Sequence, residues 1–288
     1  MSPSPSQVPG YGAEVTKAPP WHGWVTADLF LSELSSGTFV VTSVGQLILG
    51  AKFGRMATTG YVIAFVSILA DLVCLVMDLG DPARFHHMLR RFKPRSPMSL
   101  GVWAISLYAM TAFACAAMAI AGVGILAKPQ LIVAATGIAP ALFVGLYKGV
   151  LFSVTAQPVW REARWLGAEL SVSAGIIGAA TMLSVAIFTG TRESIAALRI
   201  ALAALNVIEV GALGLFLRDT GPEIARRLGK RHAVLAYGAI GLGGLIAPSV
   251  IAAATGDSIA LLCTSMLAIG GALASRHYLV ILPHQDMP

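Results

Sequence analysis

The chain has 288 residues, of which 56% are hydrophobic and 12% charged, with a net charge of +6 and a mean hydropathy of +0.77. A soluble domain carries roughly 25% charged residues, so a water-soluble enzyme and a disordered chain are both excluded. Three scattered cysteines, Cys74, Cys115 and Cys263, exclude a disulfide scaffold. What remains is an all-α integral membrane protein, long enough for eight transmembrane helices.

Residues 1–22 are rich in Ser, Pro and Gly and have no apolar core. They read as an extended arm, neither a cleaved signal peptide nor a twin-arginine signal. Spanning helices are expected at 26–50, 57–79, 100–127, 131–155, 166–190, 195–217, 233–254 and 258–281. They divide into a first four-helix bundle over 23–160 and a second over 161–288. Between the second and third spans, residues 82–95 read as a basic surface helix, ended by prolines.

An even number of spans leaves both termini on one face, here called the N-side. Fourteen of the 20 Lys and Arg residues fall on that side and five on the other, with Lys148 inside a span. The positive-inside rule puts the N-side in the cytoplasm. Basic loops also serve to dock an acidic partner or membrane lipids; no nucleic-acid partner is expected.

A weak internal repeat runs through the chain. Glu33-Leu-Ser-Ser in the first span resembles Glu169-Leu-Ser in the fifth. Asp78-Leu-Gly-Asp-Pro after the second resembles Asp219-Thr-Gly-Pro after the sixth. Two parallel four-helix halves would produce it, as would chance matching of short strings.

Ionisable groups at membrane depth are costly and face a bundle interior or a cavity. Here they are Glu33, Asp71, Lys148, Glu169 and Glu209, accompanied by Tyr147 and Asn206. Glu33, Asp71, Tyr147, Lys148 and Glu209 are placed in one layer, roughly 12–15 Å from the N-side end of their helices. Either they pair as interhelical glue, or they form a proton relay or ligand pocket. A quinone site needs such an arrangement: an apolar slot, a donor for each carbonyl and a proton route. Tyr147 is the best donor in the layer. His22, between Trp21 and Trp24, is either incidental to an interfacial aromatic belt or a proton acceptor at a pocket mouth. The six histidines lie in loops or at helix ends, and the cysteines are dispersed. Neither haem nor an iron–sulfur cluster is expected in this chain, and no metal site.

Three segments carry a resemblance: Trp24 to Phe39 (WVTADLFLSELSSGTF), Asp78 to Trp103 (DLGDPARFHHMLRRFKPRSPMSLGVW) and Thr155 to Arg164 (TAQPVWREAR). They resemble the NrfD/polysulfide reductase membrane-subunit family, most specifically in Asp-Leu-Gly-x-Pro-x-Arg-Phe followed by Ser-Pro-Met-Ser-x-Gly. The resemblance implies a cofactor-free anchor in a bacterial inner membrane. It would bind menaquinone or ubiquinone and dock a multi-cluster, ferredoxin-like iron–sulfur subunit together with a molybdopterin catalytic subunit. By the same resemblance His22 and Tyr147 would hold the quinone, with Trp24 and Lys148 beside them. Glu33 stands where the family often has Gly, and Lys148 where a small residue is usual.

The expected roles follow. Asp71 and Glu33, with Glu209, would relay protons. Arg84, Arg90, Arg91 and Arg95 would contact a partner or lipid phosphates. Asp78, Gly80 and Pro82 would shape the turn after the second span. The rival readings are a secondary transporter or channel, a redox-coupled proton-translocating subunit, and a purely structural anchor.

Overall fold

The computed structural model describes residues 23–79, 81–82, 85–90, 92–154, 158–228, 244, 247–254 and 256–281. These form ten α-helices: α1 (Gly23–Leu49), α2 (Gly54–Met77), α3 (Phe85–Arg90), α4 (Pro97–Ala121), α5 (Ala127–Ser153), α6 (Pro158–Glu162), α7 (Leu166–Thr189), α8 (Arg192–Leu228), α9 (Ala247–Ala254) and α10 (Ser258–Ile281). No strand occurs among the described residues. The protein is an all-helical, multi-pass membrane protein. Six helical stretches in the described part are long and apolar enough to cross a bilayer, and the first, Gly23–Met77, comprises α1 and α2. Gly50, with φ +53°, supplies the left-handed residue in the turn between these two helices.

Seven of the eight expected spans thus have a long helix. Of the seventh, 233–254, only Gly244 and α9 lie within the described residues. The expected arm 1–22, with His22, lies outside them, as do Gly80, Arg84 and Arg91.

Two expectations about the loops are corrected. The surface helix is one and a half turns long, Phe85–Arg90, rather than 82–95: Pro82 precedes it, and Lys93–Arg95 lead into the cap of α4. The sixth span does not stop at 217. α8 continues through Asp219-Thr-Gly-Pro to Leu228, with Pro222 inside it. Here the Thr220 hydroxyl donates to the Phe216 carbonyl (2.7 Å), and Arg226 forks onto Glu223 one turn on (2.7 and 2.9 Å). These local bonds carry the helix past residues that read as a turn.

The other ends follow their sequence. Ser96 caps α4, accepting from the Ser99 N–H with Pro97 in the first turn. The Ser99 hydroxyl in turn accepts from the Lys93 N–H (2.9 Å). Thr191 and Ser194 cap α8 reciprocally, and Asp257 caps α10 by accepting from the Ala260 N–H.

α1 is the central helix, packed against α2, α5, α7 and α10. Its middle is Ser35, Ser36, Gly37, Thr38 and Phe39, all buried. Small residues let backbones approach, which is how helices associate where lipid tails offer no hydrophobic gradient. A Cβ on Gly37 would overlap the Ala174 carbonyl of α7, and one on Gly178 would overlap Gly37 itself. Around this crossing lies the main apolar core, built on Phe39, Tyr61, Tyr108 and Met182. Tyr108 donates to Ser35 (2.7 Å), which donates to the Ala64 carbonyl (2.6 Å).

Candidate functional site: two buried ion networks and an apolar cavity

The charges expected in a single layer separate into two networks. In the first, Lys148 on α5 spends its three protons on α1 and α2. It reaches the Asp28 backbone carbonyl (3.0 Å), Asp28 Oδ2 (2.9 Å) and Asp71 Oδ1 (3.0 Å). Lys148 and Asp71 are 3% and 0% exposed, and Asp28 8%. Asp71 Oδ2 and Asp28 Oδ1 have no hydrogen-bond partner among the described residues.

In the second, Arg276 on α10 is 1% exposed. Its Nε meets Glu33 of α1 (2.8–3.0 Å), and its Nη1 meets both carboxylate oxygens of Glu169 on α7 (2.9 and 3.1 Å). Glu209 of α8 is 4% exposed and lines a cavity of about 30 Å³ together with Glu169, Ser173 and Ser275. The charge count by side places Arg276 among the surface cations of the N-side. It is instead the buried centre of this network, because it lies one and a half turns inside α10 and three carboxylates converge there.

Beside the first network is a cavity of about 360 Å³. Leu72, Leu75, Val102, Ile105 and Phe152 give it apolar walls; Tyr147, Asp28, Ser106 and Asp78 are its polar points. All its contributing segments end on the N-side: the start of α1 and α4, the end of α2 and α5, and α3. The Tyr147 ring stacks on Phe143 (centroids 6.4 Å apart) and rests on Gly101 of α4, where any Cβ would overlap it. Gly101 is the glycine of the Ser-Pro-Met-Ser-x-Gly segment, so that segment both caps α4 and leaves room for the tyrosine.

The expected site residues fall as follows. Tyr147 lines the cavity. Lys148 is one step behind it, orienting Asp28. Asp71 lies behind Lys148, while Glu33 and Glu209 belong to the Arg276 network. Trp24 is half-exposed at the start of α1 and is not a lining residue of the cavity. Asp78 caps α2 through its N–H to the Cys74 carbonyl (3.0 Å) and reaches the cavity rim. Pro82, Arg90 and Arg95 are exposed. His22, Gly80, Arg84 and Arg91 lie outside the described residues. In the third motif, Trp160 is fully buried, donating from its indole to the Leu279 carbonyl (3.0 Å) and stacking edge-on against Phe152.

Asp28 and Arg276 were missed as site residues. The signal was available: a buried lysine and three deep glutamates both demand counter-charges, and the ends of α1 and α10 were the places left to supply them. Among the described residues no group of three or more His, Cys, Asp or Glu side chains could hold a metal ion.

A second, mainly apolar groove of about 390 Å³ lies between α1, α5, α7 and α8, lined by Val44, Ile48, Phe53, Leu142, Leu198 and Ile208, with Ser36 and Ser171 as its polar points.

A family model described as "Polysulphide reductase, NrfD" matches residues 13–285. Over 88 residues the chain is 31% identical to a selenate reductase subunit of Mesobacillus selenatarsenatis. That stretch is 31% of this chain and 20% of the selenate reductase protein, so the match spans about a fifth of that relative's length.

Proposed function

The chain belongs to the NrfD polysulphide reductase family, and from that premise we propose that it is the membrane anchor and quinone-binding subunit of a multi-subunit oxidoreductase. It would exchange electrons between the quinone pool and a multi-cluster iron–sulfur subunit docked on the N-side. A relative named as a selenate reductase subunit supports a catalytic partner, which we take to be of the molybdopterin type. The N-side is read as cytoplasmic from its excess of Lys and Arg, in a bacterial inner membrane. Exposed Arg90 and Arg95, with Arg84 and Arg91 of the same segment, would meet the partner or lipid phosphates.

One observation carries this reading: the cavity that joins apolar walls to Tyr147 and Asp28. Its volume falls in the range of small-molecule sites, about 300–1,000 Å³, and its few polar groups suit a flat ring with two carbonyls. Menaquinone and ubiquinone both fit that description. A bound quinone supplies two-electron, two-proton chemistry. The Tyr147 hydroxyl makes no hydrogen bond among the described residues, so it is free to donate to one carbonyl. Asp28 stands where a proton would be given or taken. Lys148 holds Asp28 by its backbone carbonyl and one carboxylate oxygen and ties it to Asp71, so the pair of carboxylates is held with one cation. Half-exposed Phe85 and Met98 border the cavity and give it an apolar mouth toward the bilayer. His22 is retained as the donor to the second carbonyl.

Replacing Tyr147 with Phe is the direct test. Quinol turnover of the purified complex should fall about tenfold, the worth of roughly 1.4 kcal/mol of hydrogen bonding, with subunit assembly unchanged. Undiminished turnover would remove Tyr147 from the site. Redox-coupled proton translocation is favoured by one observation, the presence of two separate buried charge networks. Vesicles containing the complex would then acidify or alkalinise on quinol addition by more than the scalar protons of the reaction.

A further inference from the structure

Each of the two networks is centred on one cation. Lys148 lies on the fourth spanning helix and Arg276 on the last, 128 residues on, and Glu209 of the second network follows Asp71 of the first by 138. Tyr147 precedes the lysine and Ser275 precedes the arginine, and each lines the cavity beside its network. One cavity is ligand-sized; the other, at about 30 Å³, has room for one or two waters.

We infer that the small cavity is a proton-binding site, in which Glu209 carries an exchangeable proton that it shares with Glu169. The charge count leads there. Arg276 brings one positive charge to three carboxylates, each 4% exposed or less. The bonds that the guanidinium makes among the described residues, through Nε and Nη1, go to Glu33, Glu169 and Ser275, and none goes to Glu209. Glu169 also sits in the first turn of α7, where helix N–H groups favour an anion. Glu209 has neither support. Its Oε2 is buried without a hydrogen-bond partner among the described residues, and its carboxyl lines the same small cavity as Glu169.

Among the described residues no other charge faces it. The sequence from 233 to 256, which includes Gly244 at the cavity wall and α9, contains no Asp, Glu, Lys, Arg or His. α6 meets α8 through Val159 and Trp160, and its Arg161 and Glu162 are exposed and 3.9 Å apart. A third carboxylate ionised here would be an uncompensated buried anion, a state that protonation relieves. The proton leaves the Glu209 oxygen for water in the cavity and returns the same way. Ser173 and Ser275 supply hydroxyls to hold that water.

This goes beyond the proposed function and needs no ligand in the Tyr147 cavity, so either can fail alone. The test is infrared difference spectroscopy on the full-length protein in detergent, in H2O and D2O. The wild type should show a protonated carboxylic C=O band that shifts in D2O within an hour. Glu209→Gln should lose it, and Glu209→Asp should retain it at a displaced frequency, which keeps the test informative if the glutamine variant folds poorly. Glu169→Gln should also displace it, since the proton is shared. The inference is overturned by a band of unchanged intensity in Glu209→Gln, by a wild-type band indifferent to D2O, or by a sodium-dependent spectrum with no carboxylic band, which would mean a metal cation takes the proton's place.

Discussion

Lys148 and Arg276 are two buried cations with different surroundings, and the difference separates binding from closure. Lys148 is a compact ammonium. It satisfies three acceptors on α1 and α2 and leaves the neighbouring aromatic, Tyr147, turned toward a cavity of about 360 Å³. Arg276 is a planar fork that holds α1 and α7 at once through Glu33 and Glu169. Its neighbour is Ser275, and the space there shrinks to about 30 Å³. A large side chain beside one cation and a small one beside the other thus accompany one ligand-sized chamber and one nearly filled. The fork suits the second place because two carboxylates from different helices must be met in a fixed geometry.

The comparison breaks most severely if the cations are removed. Arg276→Leu should strand three buried carboxylates and cost about 3–5 kcal/mol or more, seen as loss of folded protein from the membrane fraction. Lys148→Met should cost about 3–5 kcal/mol on the same grounds, and adding Asp71→Asn should recover part of it. Equal yields of Arg276→Leu and wild type would refute the structural half of the contrast. Gly101→Ala comes next. The new methyl meets the Tyr147 ring, so the variant should lose about 1–3 kcal/mol of stability and most of its quinol turnover, measured by thermal unfolding and a steady-state assay. Smallest is Ser275→Ala, the counterpart of Tyr147→Phe. It should change stability by about 0.5 kcal/mol or less and leave quinol turnover alone; a turnover loss like that of Tyr147→Phe would make the two chambers functionally alike.

Much of this contrast was legible before any coordinates. Composition and periodicity sufficed for the membrane helices, since apolar runs of 20 or more residues have few other uses. The deep polar residues were legible for the same reason: a charge inside such a run stands out against its neighbours. Which charge meets which was not, because pairing is decided by helix packing. Gly37, Ala174 and Gly178 bring α1 against α7, and that crossing carries Glu33 to Arg276 rather than to Lys148. Asp28 and Arg276 escaped notice because a charge near the end of a predicted span reads as facing water. The helix through Asp219 to Pro222 was missed because Gly and Pro signal a turn locally, whereas side-chain bonds within α8 override them. The tie between the Ser-Pro-Met-Ser-x-Gly segment and Tyr147 became visible only when Gly101 was found beneath the ring.

The account rests on the Tyr147–Asp28 cavity being the quinone site, and photoaffinity labelling of the intact complex with an azidoquinone tests that most directly. Peptide mapping should place the label in Val25–Asp28, Leu72–Leu79, Met98–Ser106 or Leu151–Phe152, and excess native quinone should suppress it. Label confined to the apolar groove of Val44, Ile48, Leu198 and Ile208, or no quinone-suppressible label on this chain, would contradict it.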